Sequence, residues 1–224
     1  MALTRQARIL DDVQIGHLLA RMEETHAPAR NAAIVRLSFS AWLRAKEIAC
    51  IRWRMVMDSA GRLVPMLLLE NTASKGDHGG RRIPIPTNLF VALERLYAAE
   101  PPRDPDAFVM RFRKHALDPV TRAQAVQALF REWYRTLGFR GCSSHSGRRT
   151  GATKALRAGM DIRQVQILLG HSSIATTQRY VDPDPDAQRR IMALTDIRPV
   201  MAHATLPDRE VKPLRTAKEK TRVA

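Results

Sequence analysis

The chain has 224 residues, of which 45% are hydrophobic and 5% aromatic, which is enough apolar material for a substantial core. Its formal net charge of +15 predicts a polyanionic partner, with nucleic acid favoured over an anionic membrane surface, although a merely basic protein would show the same charge. Two cysteines, Cys50 and Cys142, without a Cys-x-x-Cys pair disfavour a disulfide framework and a structural zinc site, and they fit a reducing cytoplasm. The sequence shows neither a signal-peptide pattern nor an apolar run of about 18 residues, so we expect no export and no membrane span.

The first half of the chain is predicted to consist of helices around a small sheet. Capping signals and apolar periodicity predict three helices: one opened by Asp11 and Asp12, one over about 29–43, and a short one over 45–49. Two apolar runs on either side of the turn 58–61, followed by a third at 81–86, predict a three-stranded antiparallel sheet. Lys75 lies in the polar, glycine-containing loop before the third strand, at a hairpin tip.

Two longer helices are predicted to follow the sheet. Thr87 is expected to cap the first, and Thr121 with Gln124 has the spacing of a capping box at the start of the second. Apolar residues of the second helix recur with helical periodicity up to its end at Gly138. The domain is therefore predicted to be α+β and mainly α-helical.

The stretch from His145 to Tyr180 is predicted to fold into three short helical pieces. The first runs over about 150–157, the second is opened by Asp161 and stopped by Gly170, and the third is opened by Ser173. Because the chain can turn sharply at the intervening glycines, we expect the polar residues of this stretch to converge.

The C-terminal part is predicted to leave the domain. Two prolines in residues 182–186 interrupt any helix and predict a hinge. We therefore divide the chain into a basic N-terminal arm (1–8), a main domain (9–181), a hinge with a small amphipathic helix (182–202) and a basic, disordered tail (203–224).

Taken singly, the polar motifs carry little information. With seven histidines and many arginines in the chain, one His-x-x-Arg pair is expected by chance. Arginine-rich stretches such as 81–82 and 189–190 are more often phosphate contacts or solvated faces than base-reading groups. The order and spacing of the motifs, taken together, are more informative.

In the order and spacing of its motifs, the sequence from about residue 10 to residue 200 resembles the tyrosine recombinases of the phage integrase family. The first arginine of the pattern matches Trp42-Leu43-Arg44, trailed by Glu47, and its lysine matches Ser74-Lys75-Gly76. The remaining positions match the box His145-Ser146-Gly147-Arg148, the second histidine in Gly170-His171-Ser172, and the nucleophile Tyr180. The resemblance implies a tyrosine recombinase catalytic-domain fold and catalytic roles for Arg44, Lys75, His145, Arg148, His171 and Tyr180.

The chemistry implied by the resemblance is strand exchange on double-stranded DNA without cofactor or metal. Arg44 and Arg148 would stabilise the charge that develops on a phosphodiester, because each guanidinium can donate two N–H bonds. His145 would assist deprotonation of Tyr180, His171 would bind a phosphate oxygen, and Lys75 would protonate the leaving 5′-oxygen. The product would be a 3′-phosphotyrosine that a second 5′-hydroxyl can reverse.

The resemblance also implies assembly, and the sequence departs from the family at several points. Relatives act as tetramers on DNA and pass a C-terminal segment to a neighbouring subunit, sometimes with a DNA-bending accessory protein. Trp42 stands where a glycine is usual and Arg149 where a histidine is common, and the pattern begins almost at Met1, as in the short single-domain fimbrial invertases.

Two alternatives stay open: a relaxing enzyme of the type IB topoisomerase kind, and a DNA-binding regulator or relic that keeps the fold without recombining.

Overall fold

The computed structural model describes residues 6–70, 80–112, 118–181 and 187–194. Within these ranges the elements are, in chain order, α1 (Asp12–Glu23), α2 (Pro28–Phe39), α3 (Ala45–Cys50), a 3-10 turn (Trp53–Met55), β1 (Met66–Leu69), β2 (Arg81–Pro84), α4 (Thr87–Ala99), α5 (Pro119–Thr136), α6 (Ser146–Arg157), α7 (Ile162–Leu169), α8 (Ile174–Gln178) and α9 (Ala187–Leu194). The prediction of a mainly helical α+β protein is confirmed.

The sheet of the described residues has two strands, so the prediction of three was wrong in number. β1 and β2 pair antiparallel, with Leu67 opposite Ile83. The expected first strand is reduced to an isolated bridge between Met57 and Leu63, because the chain before it is wound into the 3-10 turn. The loop 71–79, which includes Lys75, lies outside the described residues.

The core is built on α2 and α3. Most side chains of α2 are buried. α2 packs against α1, α4 and α6, and α3 packs against α5. A second, smaller apolar cluster contains Ala152, Val165 and Leu169 from α6 and α7, with Trp42 and Tyr180 packed against it.

Local capping explains where the sequence-based helix bounds were right and where they moved. Asp161 caps α7 as predicted, and Gly170 ends it in the left-handed region at φ 60°. α5 instead begins at Pro119, two positions before Thr121, because the Asp118 carboxylate caps it by accepting the N–H groups of Val120 and Thr121. α6 begins at Ser146 rather than near Thr150.

The chain divides into two compact units, residues 1–182 and 183–224. In the second unit, α9 carries the exposed apolar side chains Met192 and Leu194. None of the helices among the described residues is sufficiently long and apolar to span a membrane.

Candidate active site

A buried carboxylate, Glu47 on α3, is the centre of the candidate site. It is 1% exposed and accepts hydrogen bonds from both the backbone N–H and the Nη1 of Arg44, at 2.8 and 2.9 Å. Arg44 stands at the N-cap position of α3 and Glu47 at its third residue, so the Glu47 carboxylate caps the start of the helix by accepting the Arg44 backbone N–H. This cap fixes the backbone from which the Arg44 guanidinium, 28% exposed, projects.

A second arginine, Arg81 at the start of β2, binds the same carboxylate. Its Nη1 and Nη2 donate to the two oxygens of Glu47, both at 2.9 Å, in a bidentate pair. The Arg81 side chain is 13% exposed and also lies against the turn at Gly170, where an added Cβ would be 2.6 Å from Nη1. The sequence had assigned this arginine no catalytic or positioning role.

Arg148 is a buried cation, 2% exposed, held by backbone carbonyl groups. Its Nη1 donates to the Trp42 carbonyl at 2.7 Å, and its Nη2 donates to the Leu169 carbonyl at 2.5 Å. Its Nη1 is also 3.8 Å from a Glu47 oxygen. The Trp42 carbonyl is presented by a left-handed backbone at φ 54°, which is unusual for a residue other than glycine. The turn between α2 and α3 therefore orients this guanidinium.

His171 follows the glycine turn at the end of α7 and is hydrogen-bonded on both ring nitrogens. Nε2 lies 2.9 Å from Arg148 Nη2, and Nδ1 lies 2.9 Å from Thr177 Oγ1. Because a guanidinium can only donate, Nε2 accepts from it, and the neutral ring carries its proton on Nδ1, which donates to Thr177. This hydrogen bonding defines one tautomer of His171.

Tyr180 lies just beyond α8, half-buried beside His171. The two rings stack with centroids 5.8 Å apart and an angle of 11° between their planes. The backbone of Tyr180 is held by two hydrogen bonds, from its N–H to the Thr177 carbonyl at 2.9 Å and from Thr153 Oγ1 to its own carbonyl at 3.3 Å. The phenol is thus positioned by α6 and α8 next to the second histidine.

Electrostatics in this cluster are dominated by its arginines. Burial would raise the pKa of Glu47, but the hydrogen bonds from Arg81, the charges of Arg81 and Arg148 and the backbone bond from Arg44 lower it below its ordinary value. Burial and the neighbouring Arg44 together lower the pKa of Arg148 to about 10. At neutral pH Glu47 is therefore ionised and the guanidiniums are charged.

His145 and His171, the two histidines of the candidate site, are neutral near pH 7. Burial, and after it the charges of Arg148 and Arg44, lower the pKa of His171 to about 4. His145 precedes α6 at its N-cap position and is exposed on one side. Protein packed on its other side, together with the charges of Arg148 and Arg44, lowers its pKa as well. A neutral imidazole can accept a proton, which is the property required of a base.

The structure thus brings five of the six sequence-predicted residues, Arg44, His145, Arg148, His171 and Tyr180, into one cluster. The sixth, Lys75, lies outside the described residues. Arg81 and Thr177 belong to the same cluster by contact, and sequence reasoning missed both. The sequence identified Glu47 only as the acid that follows Arg44 in the family pattern; its spacing of three residues from Arg44 is a capping signal that could have indicated its structural role. Three guanidiniums beside a tyrosine suit an anionic phosphate group.

Solved structures show the same fold. A crystal structure of XerA recombinase superimposes with a TM-score of 0.64 at 22% identity, covering 85% of this chain and 66% of that one. The catalytic domain of bacteriophage HP1 integrase gives a TM-score of 0.57 at 21% identity, covering 84% of this chain and 95% of that one. The fold is that of a tyrosine recombinase catalytic domain.

A family model described as the phage integrase family matches residues 8–186, and the chain belongs to that family. Tyrosine recombinase XerC of Actinobacillus pleuropneumoniae serotype 7 (strain AP76) is 33% identical over 189 residues, which cover 82% of this chain and 57% of the relative. Tyrosine recombinase XerA of Pyrococcus furiosus is 32% identical over 155 residues, 67% of this chain and 49% of the relative. The chain therefore spans about half the length of the curated relatives it matches.

Proposed function

We propose that the protein is a site-specific DNA recombinase of the integrase or invertase type, which breaks and rejoins strands of double-stranded DNA through Tyr180. The observation that carries the proposal is the packing of the Tyr180 ring on His171, whose other neighbour is the buried Arg148. Membership of the phage integrase family supports the same assignment.

In the proposed reaction, a DNA phosphate lies between the guanidiniums of Arg44 and Arg148. The Tyr180 oxygen attacks phosphorus, the bond to the 5′-oxygen breaks, and the enzyme keeps a 3′-phosphotyrosyl bond. His145, neutral at physiological pH, accepts the phenol proton. Lys75 protonates the departing 5′-oxygen. The guanidiniums stabilise the charge that the phosphate gains on attack.

His171 requires a change of partner in this scheme. Its Nδ1 proton is committed to Thr177, and its Nε2 accepts from Arg148. To donate to a phosphate oxygen while staying neutral, the ring has to carry its proton on Nε2 instead of Nδ1, with the Thr177 hydroxyl donating to Nδ1, as Arg148 turns toward the phosphate.

We further propose that the protein works as a DNA-associated tetramer in the cytoplasm, exchanging its C-terminal segment between subunits. The exposed Met192 and Leu194 on α9 support this, because apolar side chains on a short helix are stabilised by packing into a groove of another protein surface. A DNA-bending accessory protein is compatible with the scheme. Assembly on DNA after deletion of residues 187–224 would contradict this part of the proposal.

The test is incubation with nicked suicide DNA substrates carrying a library of candidate sites, followed by denaturing electrophoresis. We expect a covalent protein–DNA adduct with the wild type and none with Tyr180→Phe, which keeps the ring stack but lacks the nucleophilic oxygen. Adduct formation and supercoil relaxation by a monomer on arbitrary DNA would favour a topoisomerase-like relaxer. DNA binding without any adduct across the library would favour a non-recombining regulator.

A further inference from the structure

A third guanidinium, Arg81, is bound to the carboxylate that anchors Arg44. Glu47 receives one Nη1 bond from Arg44 and two parallel bonds from Arg81, all at 2.9 Å. The carboxylate is 1% exposed, so its arginine partners rather than bulk solvent determine its orientation. The longer 3.8 Å approach to Arg148 completes the set.

The charges of the cluster give Arg81 a specific task. Three guanidiniums and one carboxylate leave a net charge of two positive units around the site. Without Arg81, Glu47 would face only Arg44, which already donates one Nη1 bond to it, and Arg148, whose Nη1 is 3.8 Å away, and both guanidiniums would be drawn further toward the carboxylate. Those are the groups that the proposed reaction needs for the phosphate, so an unpaired Glu47 would compete with the substrate.

Arg81 also contacts the backbone that presents His171. A Cβ added at Gly170 would lie 2.6 Å from Arg81 Nη1 and 3.2 Å from its Cζ, so the guanidinium packs directly against this turn. Gly170 has φ 60° and immediately precedes His171 in the chain. One side chain from β2 therefore contacts both the α3 cap and the α7 turn.

We propose that Arg81 is a positioning residue for the reaction: it binds Glu47 so that Arg44 and Arg148 stay available to the DNA phosphate. Arg81 acts through Glu47, without touching the reacting atoms. The inference rests on the proposed function and adds a residue to it. Its sequence signature is an arginine at the start of the strand that follows the Lys75 loop, 34 positions from its carboxylate partner.

The test is a double-mutant cycle of Arg81→Met and Glu47→Gln, measured as single-turnover adduct formation at saturating suicide DNA. We expect R81M to lower the saturated rate about tenfold or more, with DNA affinity within about threefold of wild type. In the E47Q background the same R81M change should alter the rate by less than about twofold, because the carboxylate through which Arg81 acts is gone.

Arg82 provides the matched control. It is the next residue of β2, its side chain is exposed, and its strand partner is Leu68. Arg82→Met removes the same charge from the opposite face of the strand, and the saturated rate should change by less than about twofold. Folding of each variant is checked by circular dichroism at the assay temperature. If R81M is unfolded there, Arg81→Lys keeps the charge, loses the two-bond geometry and should lower the rate about threefold.

The outcomes separate the two levels of inference. An equal loss from R81M in the wild-type and E47Q backgrounds would overturn the role through Glu47, as would a folded R81M or R81K with the wild-type rate. If R81M and R82M lowered the saturated rate equally, the loss of one positive charge would explain both results, and the positioning role of Arg81 would be overturned. If the wild type itself forms no adduct that depends on Tyr180, the proposed function fails, and the role of Arg81 fails with it.

Discussion

Replacement of Arg148 by lysine should impair the protein in two independent ways, in stability and in chemistry. The guanidinium makes three hydrogen bonds, to the Trp42 carbonyl at 2.7 Å, the Leu169 carbonyl at 2.5 Å and His171 Nε2 at 2.9 Å. A lysine ammonium on a longer, unbranched stem can reach one of these acceptors but lacks the planar fork that reaches all three. Because the Arg148 side chain is 2% exposed, the other two of these acceptors are then left buried without a hydrogen-bond donor.

The size of the stability loss follows from those two bonds. A hydrogen bond to a charged group contributes about 1.5–3 kcal/mol, so losing two costs about 3–6 kcal/mol. Water entering the space vacated by the guanidinium would satisfy part of this demand, so we expect R148K to lower the free energy of unfolding by about 3 kcal/mol. Urea unfolding followed by far-UV circular dichroism measures this difference.

Arg44→Lys is the matched comparison, because it removes the other proposed phosphate-binding guanidinium from a partly exposed position. The Arg44 side chain is 28% exposed and gives a single side-chain bond to Glu47, so its replacement should cost no more than about 1 kcal/mol of stability. Both variants should lower adduct formation about 100-fold or more, since each loses a donor to the transition state. Equal stability losses in the two variants, or an R148K protein as stable as wild type, would refute the reasoning.

Three further predictions concern the surroundings of the site. Thr177→Val removes the acceptor for Nδ1 of His171, so the saturated rate of adduct formation should fall about tenfold while the protein remains folded; an unchanged rate would count against the tautomer. Because the folded-state pKa of His171 is lowered to about 4, the unfolded chain binds its proton first as pH falls. The difference between this pKa and the ordinary pKa of histidine corresponds to about 2 kcal/mol between pH 7 and pH 5, and solvent screening of the partly buried ring reduces this to about 1 kcal/mol. Urea titrations should therefore show stability decreasing over this range by about 1 kcal/mol more in wild type than in His171→Gln; parallel curves would contradict this. Thermal melts should show Gly151→Ala destabilised by about 2 kcal/mol, because its Cβ would lie 2.0 Å from Trp42 Nε1, whereas Gly16→Ala, with nothing within 4 Å, should be slightly stabilised; the reverse order would disprove the packing argument.

Local signals in the sequence were sufficient for the elements that local interactions determine. Asp161 and Gly170 bound α7 as predicted, because an N-cap carboxylate and a left-handed glycine act within one turn of the chain. Thr121 with Gln124 had the correct spacing for a capping box but lies inside α5, since Asp118 precedes it and already satisfies the free N–H groups. Two capping signals in one stretch compete, and the sequence does not rank them.

Features set by distant contacts could not be predicted in this way. α2 ends at Phe39, short of the predicted end near Leu43, because the turn to α3 carries Trp42 in a left-handed conformation that packs against α6. The family pattern located Arg44 and Arg148, but nothing local to Arg81 indicates that its carboxylate partner lies 34 positions away. A pattern of motifs therefore identified the candidate catalytic groups, and coordinates were required to identify the groups that hold them.

The division of the apolar interior into a large and a small cluster has a consequence for dynamics. Tyr180 and His171 belong to the part of the domain built on the small cluster, where Ala152, Val165 and Leu169 are the buried members. Opening α7 and α8 would expose little apolar surface, so their amide protons should exchange with solvent at a lower free energy than those of α2. Tyr180 would then lie in a region that opens at a lower free energy than the large core, to which the elements carrying Arg44 and Arg81 belong.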